Sequence, residues 1–176
     1  MIQQSFPLSK QQLGQYLAQS LGQALTEQEL SKCFEQIQIV EPTAGKLFWQ
    51  TADTTAGIYI VLTGKVRLLD STDNLITSFG AGVSFGEQTL FPEYFHPYSA
   101  RASVNLKLCY LPSELLHALA YKYPIILEHL YHQAVLWDLL LICRNSKIFR
   151  ALPVEELMKT LSLMERHNLE VGKLPT

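Results

Sequence analysis

Runs of basic residues, paired cysteines and a leader pattern are what this sequence lacks. Its 176 residues carry 14 Lys and Arg against 16 Asp and Glu, a formal charge of −2 at pH 7. No cluster of cations follows a phosphate backbone, so nucleic-acid binding is not expected. The three cysteines, Cys33, Cys109 and Cys143, are odd in number, far apart and set in apolar patterns. That suits reduced core thiols rather than a disulfide framework or a metal cluster. The start, Met1-Ile2-Gln3-Gln4-Ser5-Phe6-Pro7, has no basic region ahead of an apolar core, and no uninterrupted apolar run reaches membrane-spanning length. The chain therefore reads as cytoplasmic, with no direct membrane insertion by this segment. There is no Walker lysine motif and no Cys-His signature, and Glu128, His129 and His132 have no indicated third and fourth ligand group. No enzyme chemistry, cofactor or metal is expected.

What is present is a core-sized supply of apolar residues, 48% of the chain. Leu13, Tyr16, Leu17 and Leu21 at helical intervals, with Ser9 as N-cap, predict a helix over residues 8–23. Thr26-Glu27-Gln28-Glu29 forms a capping box before Leu30, Cys33, Phe34 and Ile37, predicting a second helix that ends at Val40-Glu41-Pro42. Lys46 to Gln50 alternates as a strand, and Thr51 to Ala56 is polar loop. Gly57 to Leu69 reads as two strands joined at Thr63-Gly64, and Leu75 to Phe79 as a third. Phe91 to Tyr98, with two prolines and no period, reads as irregular loop. Strands resume at Ser99 to Val104 and Leu106 to Leu111. Pro112 opens a short helix and Pro124 a long one, running to about Arg144. The apolar positions of that long helix exceed one stripe, so Trp137, Leu140 and Leu141 are expected to meet the same residues of a second copy in a homodimer.

The chain is organised around Gly80-Ala81-Gly82-Val83-Ser84-Phe85-Gly86-Glu87-Gln88-Thr89-Leu90. Two glycines end a strand, Phe85 anchors, and Gly86-Glu87 open a short helical turn whose N–H groups could take an anion beside a carboxylate. With the preceding Gly57 to Leu69 strands, this passage resembles the cyclic-nucleotide-binding domain family over roughly residues 25 to 145. The resemblance implies an antiparallel jelly-roll β-barrel, mainly β with flanking α-helices, holding a phosphate-binding cassette. It places ligand contacts at Phe85, Gly86, Glu87 and Gln88, with Glu87 meeting a ribose hydroxyl. Arg101 to Leu108 looks like the strand and turn after the cassette, which sets His96 where the family has its phosphate-pairing arginine, with Pro97, Tyr98 and Ser99 following. An imidazole offers one donor where a guanidinium grips two phosphate oxygens, and Pro97 removes a backbone donor. An alternative register would use Arg101 instead.

Leu25 to Leu47 aligns without a gap on Leu152 to Leu174, ending on Gly45-Lys46-Leu47 and Gly172-Lys173-Leu174, an internal repeat. The expected organisation is an N-terminal helical segment over 1–24, a binding-type domain over 25–146, and the start of a second, truncated repeat or linker over 147–176. The N-terminal style, Phe6 to Leu13 ahead of a barrel, looks like the front of cyanobacterial peptidase-containing ABC exporters of the bacteriocin-processing kind. The resulting expectation is a non-catalytic regulatory domain of a larger polypeptide with a degenerate phosphate site. Two rivals stay open: a sensor of a cyclic nucleotide or small anion, and a barrel kept for docking.

Overall fold

The computed structural model describes residues 8–52, 56–91 and 95–163. In chain order the elements are α1 (Lys10–Leu21), α2 (Glu27–Gln36), β1 (Gln38–Val40), β2 (Leu47–Gln50), β3 (Gly57–Thr63), β4 (Val66–Leu69), β5 (Leu75–Phe79), β6 (Ser84–Phe85), a 3₁₀ turn (Glu87–Leu90), β7 (Ser99–Ala102), β8 (Lys107–Pro112), α3 (Ser113–Lys122), α4 (Ile125–Asn145) and α5 (Val154–Ser162).

The helix starts follow from their caps. The Gln12 N–H donates to Ser9 Oγ at 3.2 Å and the Gln12 side chain accepts from the Ser9 N–H, closing a box at the start of α1. At α2 the Thr26 N–H donates to Glu29 Oε2 at 2.8 Å, and Lys122 and Tyr123 bind the same carboxylate from α3 and the residue after it. That helix stops earlier than its periodicity suggests. Ile37 is already extended at φ −70°, ψ 151°, and Gln38–Val40 pair with Tyr110, Cys109 and Leu108 as β1. β-branched Ile39 and Val40 favour a strand once a sheet edge is available.

Two antiparallel four-stranded sheets, ordered β1-β8-β3-β6 and β2-β7-β4-β5, make the expected jelly roll. The first sheet is covered on both faces, and this explains why β3 reads as an unbroken apolar run. Ile58, Ile60 and Leu62 pack against α1, α3 and the first half of α4, whereas Val61 and Tyr59 face the barrel interior with Trp49, Phe85 and Leu108. The same parity splits β8, with Cys109 and Leu111 on the helical side. The three cysteines are free, and burial, followed by nearby Cys33, pushes the Cys109 thiol up to about 12.

α4 is the helix most altered from expectation. It has 21 residues and a mean hydropathy of 1.3 over its best window, enough by length and composition to cross a membrane, although no uninterrupted apolar run was apparent. Its apolar surface is spent inside the chain. Ile126 and Leu130 enter the helical cluster; Leu136, Trp137, Leu140 and Leu141 enter the barrel cluster. Trp137, Leu140 and Leu141, expected to face a second copy, are 7%, 0% and 5% exposed. The residues α4 leaves exposed are instead Ile125 and Ile142 among its large apolar ones. The Gly172-Lys173-Leu174 end of the internal repeat lies outside the described residues.

Candidate functional site

The glycine turn is sewn to β3: the Gly82 N–H donates to the Val61 carbonyl at 2.8 Å and the Val61 N–H to the Val83 carbonyl at 3.0 Å. β6 then delivers Phe85 into the barrel, fully buried, its ring stacked on Tyr59 at 5.3 Å and edge-on to Trp49 at 5.6 Å. Gly86 follows at φ +94°, a left-handed conformation, and an added Cβ there would lie 3.1 Å from the Gly57 carbonyl. Thr89 fixes the turn from below. Its Oγ1 accepts from the Gly57 N–H at 3.0 Å and donates to the Gly86 carbonyl at 2.7 Å.

The first N–H of the turn, expected to be open to an anion, is taken up inside the chain. The Gly86 N–H donates to the Tyr98 hydroxyl at 2.9 Å, and that hydroxyl donates in turn to Gln88 Oε1 at 2.9 Å. Tyr98 is 3% exposed and its ring leans on Trp49 at 4.8 Å, so the phenol is part of the barrel core. Burial, then the charge of Glu87, pushes its hydroxyl well above the usual tyrosine range, while the Gly86 N–H works the other way. It is a neutral phenol at any physiological pH.

Glu87 is 0% exposed rather than presented to a sugar hydroxyl. Ser84 Oγ donates to its Oε1 at 2.6 Å, and Oε2 has no hydrogen-bond partner. Burial pushes the carboxyl up to about 7, against the Ser84 hydroxyl, its own backbone N–H and Trp137, which favour the ionised form. Gln88 is 3% exposed with an unpartnered Nε2.

His96 is not directed at the cassette. Its backbone N–H and Nδ1–H both reach one oxygen of Asp138 on α4, at 2.8 and 2.9 Å, and its side chain is 65% exposed. Ser99 is the first residue of β7, paired with Gln50 and Leu69. Arg101 stands opposite Arg67 and Leu47, between the inward-facing Ala100 and Ala102, so strand parity turns it away from the barrel interior. The alternative register through Arg101 fails on this point. Gly86, Gln88 and Tyr98 are thus one hydrogen-bonded unit, with buried Phe85 and Glu87 beside it and His96 and Ser99 outside it. Sequence reasoning missed Asp138, Trp137 and Thr89; the Thr89 clamp had the one local signal, a hydroxyl three residues after a glycine.

Residues 40–123 match the family model for the cyclic nucleotide-binding domain. Over 92 residues the chain is 30% identical to lysophospholipase nte1 of Aspergillus terreus and 32% to that of Aspergillus oryzae, alignments that take in 50% of this chain and 6% of each relative. The chain therefore spans a small fraction of these relatives. Among solved structures, the catabolite activator protein of Thermus thermophilus superposes with a TM-score of 0.54 at 27% identity, covering 66% of this chain and 56% of that one. The Toxoplasma gondii PKA regulatory domain, crystallised with cAMP, gives 0.55 at 22% identity, covering 86% and 57%. The sensor domain of the transcriptional regulator DNR from Pseudomonas aeruginosa gives 0.57 at 17% identity, covering 91% and 98%. The last two share the fold alone.

Proposed function

Because residues 40–123 belong to the cyclic-nucleotide-binding domain family, we propose that this chain is a non-catalytic regulatory module whose cassette is closed by its own tyrosine and takes no cyclic nucleotide. The observation that supports this is the Tyr98 hydroxyl on the Gly86 N–H at 2.9 Å. A cyclic phosphate would have to expel that phenol, uncover Glu87 and pair without an arginine. Losing a bidentate charge-assisted contact alone is worth about 2–5 kcal/mol, enough to turn micromolar affinity into millimolar. The anion-sensor reading is less well supported, since the imidazole that would serve it is tied to Asp138.

Such a module acts by docking, on the cytoplasmic side, within a longer polypeptide. The small share of each lysophospholipase relative that it matches supports a tethered input domain; the exporter expected from the N-terminal sequence is the alternative host. Calorimetric titration of the chain with cyclic AMP and cyclic GMP tests the reading. No saturable heat at low micromolar protein is expected, and micromolar binding of either nucleotide would overturn it.

A further inference from the structure

A cleft of about 680 Å³ lies between the glycine turn, β5, α1, α4 and α5, and none of Gly86, Glu87, His96 and Tyr98 lines it. Its volume is that of a small-molecule site. One wall is aromatic: Phe79 and Trp137 have ring centroids 5.3 Å apart and tilted by 38°. The same lining holds the amides of Gln19 and Gln133 and the hydroxyl-bearing Ser20 and Ser78. Ser20 is 4% exposed, and its Oγ has no hydrogen-bond partner although it belongs to the cleft lining. A buried hydroxyl left unsatisfied is costly, and a ligand that supplies its partner recovers that cost.

The charges narrow the ligand. Lys65 is the cation of the cleft and forms no ion pair among the described residues, His129 in the same lining being held toward its neutral form by burial; Glu155 belongs to that lining too, likewise without an ion pair. One exposed ammonium opposed by a carboxylate suits a single negative charge and disfavours a phosphate or polyanion. A hydrocarbon would leave Ser20 and both amides unanswered. We propose that this cleft binds a small aromatic carboxylate, its ring against Phe79 and Trp137, its acid group at Lys65 and its polar edge at Gln133 and Ser20.

Ser84 also lines the cleft and donates to Glu87 at 2.6 Å, so the cleft and the cassette share one residue. The inference does not rest on the cassette being closed, and it stands or falls separately from the titration with cyclic nucleotides. The test uses the whole chain with benzoate, 4-hydroxybenzoate, indole-3-carboxylate, the neutral benzamide and inorganic phosphate, read by calorimetry and by the indole N–H resonances of its two tryptophans. At least one of the three carboxylates should bind saturably and shift the Trp137 signal, with benzamide weaker and phosphate silent. Lys65→Met, at an exposed position, should weaken the carboxylate about tenfold and leave benzamide unchanged. Gln133→Trp should fill the cleft and abolish both. Silence from all three carboxylates, undiminished affinity in Lys65→Met, or tighter binding of phosphate would each overturn the proposal.

Discussion

Replacing Tyr98 by Phe isolates the hydroxyl that closes the cassette. The ring keeps its contact with Trp49 at 4.8 Å, and only the oxygen between the Gly86 N–H and Gln88 Oε1 is removed. Both groups lie where water has little access, since Tyr98 and Gln88 are each 3% exposed. A buried polar group stripped of its partner costs about 1–3 kcal/mol, so two would lose about 2–6 kcal/mol if both stayed unsatisfied. Gln88 has a way out, because its amide can rotate and present its unpartnered Nε2 elsewhere. The expected loss is therefore about 2–3 kcal/mol, most of it from Gly86. For a domain of this size that is a fall of about 5–10 °C in Tm. Urea unfolding gives the quantity directly: the midpoint should drop with the slope unchanged, because the compactness of the folded state is not altered. A loss below about 0.5 kcal/mol, within the range of ordinary surface substitutions, would refute the reasoning. It would mean that water satisfies the Gly86 N–H and that the tyrosine is a bystander.

The Glu87 carboxyl, raised to about 7 when folded from 4.5, makes the folded state bind more protons than the unfolded one between those values. Its contribution is full below pH 4.5 and is lost as pH rises through 7, an effect of about 3 kcal/mol. Glu87→Gln should flatten that fall and be the more stable protein at pH 8, measured by urea midpoints across pH; a parallel pair of curves would count against a protonated Glu87. Trp137→Glu should unfold the chain rather than separate copies of it, because burying a carboxylate in place of a core indole costs about 3–5 kcal/mol or more. Circular dichroism with light scattering distinguishes the two, and a folded variant of halved mass would restore Trp137 to an interface.

The caps at Ser9 and Thr26 and the apolar run of β3 were legible because each depends on neighbours within a few residues or on a covered sheet. So was Phe85-Gly86-Glu87, where a positive φ and a close carbonyl demand glycine. β1 was not, since Ile39 and Val40 become a strand only by pairing with Cys109 and Leu108, far along the chain. Nor was the aim of His96, whose partner Asp138 lies 42 residues away. Tyr98 stood at the right place in the sequence, but the direction of its hydroxyl depends on how the 95–98 segment seats against Thr51 and Trp49. The orientation of Arg101 could have been read, since Ala100 and Ala102 on either side already mark the inward parity of β7. The excess of apolar residues on α4 was read correctly as more than one stripe; what it faces is a second core in the same chain.

α4 works as a cross-beam. Its first turns close the helical cluster with α1 and α3, and its later turns close the barrel, so neither apolar mass is complete without it. The segment that carries the family's sequence signature ends at residue 123, just before this helix begins. Signature and folding unit therefore differ: residues 40–123 alone would expose one flank of the barrel and the part of the outer face of β3 and β8 that α1 and α4 cover. Because one helix is seated in both clusters, a shift of α1 or α3 at one end would be carried along it toward Trp137 and Leu140 at the other. A docking partner that grips the helical end would move the barrel without entering it.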